Sequence, residues 1–101
     1  YSALLSQTST DAPVAVVFEN TLGFTPVWTL NATGQFRATY ADGFTLAKTQ
    51  VFATMGGAND KNVIVAAHTD NDYIQLLQYT ASTGAAVNVA TNIALEIRVY
   101  L

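Results

Sequence analysis

His68 is the only histidine of the chain, and Asp70 and Asp72 follow it within four residues. An imidazole beside a carboxylate is the beginning of a general base or of an activated nucleophile. Such a pair works only when a third group orients it and a reacting atom fits between them. Here His68 shares an alternating stretch with Ile64 and Ala66, which places it on a strand, whereas Asp70-Asn71-Asp72 has the composition of a turn. His68 is therefore read as a structural residue. The same turn offers oxygens suited to a hard cation such as Ca²⁺. A full calcium loop would add a glycine and a later bidentate glutamate, and neither follows at the required spacing. Asp and Asn also build turns unaided, by accepting hydrogen bonds from nearby backbone amides. Asp70 and Asp72 thus stand as weak metal candidates, and no metal or other cofactor is expected.

Seven carboxylates raise the question of glycoside hydrolysis, which needs two carboxyls facing each other about 5 to 10 Å apart. Glu19 and Glu96 are the only glutamates, both on predicted strands, and Glu96 shares a strand face with Arg98. An ion pair explains that spacing without any reaction, and no two carboxylates are singled out as a working pair. The expectation is a protein that is not an enzyme. Aromatic side chains remain. Trp28, Tyr40, Tyr73, Tyr79 and Tyr100 are of the type that stacks on sugar rings or anchors an interface. Trp28 and Tyr73 are weak ligand-binding candidates, with Trp28 equally suited to a core. Asn31-Ala32-Thr33 fits the glycosylation acceptor pattern, a match that arises easily by chance in a chain rich in Asn and Thr.

Composition sets the frame for these side chains. Half of the 101 residues are hydrophobic and only 11% are charged, against roughly 25% charged in an average soluble domain. So few charges leave a free monomer poorly protected against association. Part of the surface is accordingly expected to be covered by further copies or by neighbours. The net charge is −3. Arg37, Lys48, Lys61 and Arg98 are too few and too scattered to displace counterions from phosphates, so nucleic acid is not an expected partner. An anionic membrane surface is excluded on the same ground, and no apolar run approaches the ~18 residues of a span. Without cysteine there are neither disulfides nor thiolate metal sites.

Apolar residues alternate with polar ones along most of the chain, and no window carries a helical stripe. Strands are predicted over residues 2–8, 14–19, 27–30, 35–40, 45–54, 62–69, 73–80, 86–90 and 93–101. Pro13 and Gly23 punctuate the early part, and residues 31–34 have the composition of a hairpin turn. Asp42-Gly43 is the strongest two-residue hairpin signal. Residues 56–61 read as the most open loop, and residues 81–85 as a small turn. Eight or nine short strands at this spacing predict one all-β domain over 1–101, an antiparallel β-sandwich, jelly-roll-like. In the closing segment Ile93, Leu95, Ile97, Val99 and Leu101 should fill the core, with Glu96, Arg98 and Tyr100 outward. An open edge there would invite unwanted pairing. The segment is therefore predicted to lie centrally in its sheet, or at an edge covered by another subunit.

Several short stretches carry a resemblance. Ala12 to Ala15 ("APVA"), Glu19 to Gly23 ("ENTLG") and Val27 to Thr29 ("VWT") come first. Gly34, Phe36, Ala38 and Thr39, then Phe44, Thr45, Lys48 and Thr49, and finally Glu96 to Tyr100 ("EIRVY") follow in order. In these the chain resembles short β-rich proteins encoded by tailed phages and prophages of Bacteroidota. The likeness covers about half of the chain and leaves residues 50–92 unmatched. Phe18 and Phe24 depart from the pattern, which has smaller or aliphatic residues there, and so does the final Leu101. The resemblance implies a structural module located in the virion, in a head, fibre or tail, and assigns no functional residue. Together with composition it leads to a protein that acts by assembling with itself, a trimer by analogy with fibres and decoration proteins, and with other virion proteins. The alternative is a sandwich that recognises a host surface glycan through Tyr or Trp and the 56–61 and 70–72 loops. Arg37, Glu96, Arg98 and Tyr100 are the expected interface residues, since Arg and Tyr are favoured anchors.

Overall fold

A computed structural model describes residues 1–55, 62–86 and 89–101. The alternating segments form eight strands among them: β1 (Ser2–Thr8), β2 (Val14–Glu19), β3 (Val27–Ala32), β4 (Gln35–Thr39), β5 (Thr49–Thr54), β6 (Asn62–Ala67), β7 (Tyr73–Thr80) and β8 (Val89–Val99). They make two four-stranded antiparallel sheets, one in the order β2-β1-β8-β5 and the other β3-β4-β7-β6. We call these sheets A and B. The sheets pack face to face, which is the predicted β-sandwich.

Period 2 decides which side chains fill the space between the sheets. Sheet A contributes Ala3 and Leu5 from β1 and Ile93, Leu95 and Ile97 from β8; sheet B contributes Trp28, Phe36, Ala38, Ile74 and Leu76. Full burial of an Ile, Leu or Phe side chain stabilises by about 1.5–3 kcal/mol, so this layer supplies the main driving force. Tyr1 ties the two sheets together. Its backbone exchanges hydrogen bonds with Ile97 in sheet A, while its hydroxyl accepts a 3.1 Å bond from the indole nitrogen of Trp28 in sheet B. Gln7 is buried at the end of the β1 row, and its amide donates to the Ser9 and Asp11 carbonyls, holding the bend that follows.

The closing strand lies centrally, with β1 on one side and β5 on the other. Ile93, Leu95 and Ile97 point inward as expected, Val99 is half-buried, and Leu101 lies beyond the strand and fully exposed. The separate strand predicted at 86–90 falls partly outside the described residues, and Val89 and Ala90 belong to β8. A bulge explains the difference. Leu5 pairs with Ile93 but Gln7 pairs with Ala90, so β8 carries one extra residue there. Asn92 takes the left-handed conformation (φ 52°), a region open to Asn, and its amide bonds to the Ser6 hydroxyl. The extra residue shifts the inward parity, so one strand reads as two.

Asp42-Gly43 is not a hairpin. β4 ends at Thr39 in sheet B and β5 starts at Thr49 in sheet A, four residues later than predicted. The segment between them crosses from sheet to sheet. Phe44 is the reason: its ring is fully buried between the layers, packed edge-on against Phe24, which in turn stacks on Tyr40. A hairpin at Asp42 would put Phe44 back on a strand beside β4, away from that position. The Asp70-Asn71-Asp72 turn holds the crossover in place. The Asp72 and Asn71 carbonyls accept from the amides of Tyr40 and Phe44, and their side-chain oxygens accept from the amides of Asp42 and Leu46, all at 2.8 Å. Gly43 lies so close to Phe24 that an added Cβ would sit 2.9 Å from its ring, which excludes larger residues without displacing that stack.

Replacing Asp72 by alanine is expected to cost about 1 kcal/mol, the usual worth of one hydrogen bond. Asp72→Asn keeps the accepting oxygen and should lose less. Urea denaturation of both variants measures the difference, and equal losses would show that the oxygen is not the group that matters.

Candidate functional site

The outward side of sheet A is built by the register of its four strands. Val16 of β2, Leu4 of β1, Ala94 of β8 and Thr54 of β5 form one row across the sheet. Glu19, Ser2, Glu96 and Phe52 form the next, and Arg98 with Gln50 the one after. β2 is an edge strand and carries a bulge at Phe18, because Ala3 pairs with Val17 and Ser2 with Glu19. Val14, Val16 and Phe18 are 67%, 58% and 66% exposed, and Phe52 on the opposite edge strand is 52% exposed. Between the two phenylalanines lies an open depression of about 270 Å³ whose floor includes Leu4 and Ala94. It exists because Ala94, in the middle of the face, has almost no side chain.

Among the described residues, the charge on this face lies at one end. Arg98 Nε donates to Glu96 Oε1 at 2.5 Å, with both side chains about half exposed. The Glu96 hydrogen bond, and after it that of Tyr100, holds the Arg98 guanidinium above its ordinary pKa. Arg98 also sits 5.7 Å from the Phe52 ring centroid, within reach of a cation–π contact. Tyr100 projects beside Gln50, its hydroxyl 3.5 Å from the amide oxygen. Glu96, Arg98 and Tyr100, expected as interface residues, thus lie together on one face.

Arg37 is elsewhere. It lies on the outer face of sheet B, donates from Nε to Gln75 Oε1 at 2.6 Å, and covers the Tyr73 ring at 4.0 Å. Arg37 and Tyr73 therefore meet each other, and the face of Tyr73 that could stack on a sugar carries a guanidinium. Trp28 is only 8% exposed and presents no ring face to solvent. His68 follows the end of β6, and the prediction that it lies on the strand is corrected. Its Nε2 is 2.7 Å from the Phe44 carbonyl oxygen, a contact that braces the crossover. Asp70 Oδ1 accepts from the Asp72 amide, so one side-chain oxygen of each residue of the 70–72 turn serves a backbone amide. The 56–61 loop lies outside the described residues.

The apolar members of the face went unread in the sequence. Residues 14–18 form an unbroken run without charge, a pattern that normally marks a strand buried on both sides. Val14 and Val16 lie on the outward side of sheet A and Phe18 at its bulge, which puts all three in solvent instead. Two signals pointed there: the scarcity of charge in the whole chain, and Phe18 as a departure from the resembled pattern. No protein-family model, no curated protein and no solved structure matches the chain.

Proposed function

We propose that this protein is a non-enzymatic building block that works by self-association, within the phage particle that the sequence resemblance implies. The observation that carries the reading is the uncovered apolar face of sheet A, with Val14, Val16, Phe18 and Phe52 all more than half exposed. Contiguous apolar patches of this kind mark interaction surfaces on soluble proteins. An apolar edge strand such as β2 is otherwise a liability that proteins cover or charge. The residue types that could do chemistry support the same reading, since His68, Asp70 and Asp72 are engaged in holding the crossover. Glycan recognition has less in its favour, because Trp28 is internal and the Tyr73 ring is capped by Arg37.

Sedimentation equilibrium tests the self-association. Assemblies larger than the 10.8 kDa chain are expected at micromolar concentration, where a dissociation constant near 1 μM corresponds to about −8 kcal/mol. A chain that stays monomeric at hundreds of micromolar overturns the reading. The setting has its own test: the coding sequence should lie among capsid or tail genes, and a neighbourhood of metabolic genes would remove the virion from the proposal.

A further inference from the structure

We infer that β2 is the seam of a two-fold dimer, in which two copies join their β2 edges antiparallel about Val16 and so continue sheet A from one molecule into the next. The inference rests on the self-association proposed above and assigns it an edge, a register and a symmetry. Backbone direction comes first. Tyr1 and Ile97 exchange both of their backbone hydrogen bonds, and along an antiparallel ladder such pairs alternate with non-bonded ones. The N–H and C=O groups of Tyr1, Ala3 and Leu5 therefore face β8. Those of Leu4 and Ser6 face β2, where they meet Val16 and Val14. The Tyr100 amide donates to Lys48 on the β5 side, which keeps the same alternation. On β2 the groups left over are those of Ala15 and Val17. They turn outward at an edge where no further strand lies among the described residues.

A proline and a bulge bracket this edge. Pro13 has no N–H to offer before it, and after it the bulge at Phe18 turns Glu19 back towards Ser2. The free stretch is centred on Val16. A copy turned over about Val16 sets Ala15 against Val17 and Val17 against Ala15, and each pair exchanges both of its bonds. Every free donor then meets a free acceptor. Side chains follow the same operation: Val16 lies against Val16, and Val14 against Phe18. Aromatic and β-branched residues make favourable cross-strand pairs. Val14, Val16 and Phe18 are all more than half exposed, whereas the edge strands β3 and β5 carry one such residue each, Val27 and Phe52, and β6 none. Of the four edges β2 is thus the one with most to cover.

Charge settles the occupant and its direction. Residues 14–18 carry no charge, so a charged partner strand finds nothing to pair with there. An uncharged strand with matching donors is what β2 itself supplies. In the antiparallel arrangement the two copies of Glu19 stand about 20 Å apart along the strands, well beyond the screening length of about 8 Å. A parallel arrangement would set them side by side, about 5 Å apart, where like charges destabilise the pairing.

Cysteine trapping on the full chain tests register and symmetry, since the protein has no thiol of its own. With Val16 on the axis, the two Cα atoms at this position lie about 4.5 Å apart, within the roughly 4.4–6.8 Å that a disulfide spans. Val16→Cys is expected to form a disulfide dimer under mild oxidation. Val14→Cys alone and Phe18→Cys alone place their thiols about 14 Å apart and should stay largely unlinked, while an equimolar mixture of the two should give the mixed disulfide. Ala15→Pro removes an outward donor and leaves the β1 ladder whole. Sedimentation equilibrium should show it dimerising about ten-fold more weakly or worse, with a melting temperature near that of wild type. If this variant misfolds, the cysteine series decides. Wild-type assembly with Val16→Cys unlinked, or with all three cysteine variants linking equally, overturns this seam while self-association stands. So does a trimeric mass. A monomeric wild type whose Val16→Cys variant stays unlinked overturns both.

Discussion

Trp28→Ala is expected to cost about 3–5 kcal/mol, as truncation of a buried aromatic residue generally does. Two losses combine at this position. The indole is a large member of the core layer, and its removal leaves a cavity between the sheets that rigid strands cannot close. Its nitrogen also donates to the Tyr1 hydroxyl, so the variant strands a polar group at the sheet-to-sheet contact. Trp28→Phe separates the terms: most of the ring is kept, the hydrogen bond is lost, and a cost of about 1–2 kcal/mol is expected. For a domain of this size each kcal/mol lowers the melting temperature by about 4–8 °C. Trp28→Ala should therefore melt far below wild type, with Trp28→Phe in between. An alanine variant within about 1 kcal/mol of wild type would mean that the ring is not part of the core.

Phe44→Ala is the second large effect, also about 3–5 kcal/mol, and it differs in kind. Phe44 belongs to no strand, yet it is fully buried. It is the residue that draws the chain across from sheet B to sheet A. Truncation removes the partner of Phe24 and loosens the segment whose hydrogen bonds run to the 70–72 turn. Hydrogen exchange should then show the amides of Asp42, Phe44 and Leu46 losing protection before those of β7. Loss of protection spread evenly over both sheets would show that Phe44 acts only through global stability.

Much of the fold was legible because alternation reports directly on which face is covered. β1, β2 and β7 have their predicted bounds, and Ile93, Leu95 and Ile97 are inside. Three features escaped for separate physical reasons. The bulge at Asn92 changes parity within a strand, which period 2 alone reads as a break. The crossover at 40–48 is decided by where the Phe44 ring goes, a tertiary choice that overrides the local preference of Asp-Gly for a tight turn. Strand order is set by pairings between distant residues, such as Ser2 with Glu96, and leaves no trace in local pattern.

The candidate face was half legible. Glu96, Arg98 and Tyr100 stood out as conspicuous residues on a regular strand. Arg37 had the same credentials but belongs to the other sheet. Phe18 and Phe52 could not be assigned a direction, because an edge strand and a central strand can carry the same apolar run.

The pairing of β1 with β8 has a consequence in time. Sheet B is drawn from residues 27–80, and two of its three strand pairs, β3–β4 and β6–β7, join neighbours in sequence. Sheet A cannot be completed until residues some ninety positions apart have met. Non-local pairing of this kind makes folding slow, in the range of milliseconds to seconds. The joining of β1 to β8 closes the longest loop of any pairing in the sandwich. The face with Glu96, Arg98 and the Ala94 hollow spans β1, β8 and β5, so it is complete only once that pairing has formed.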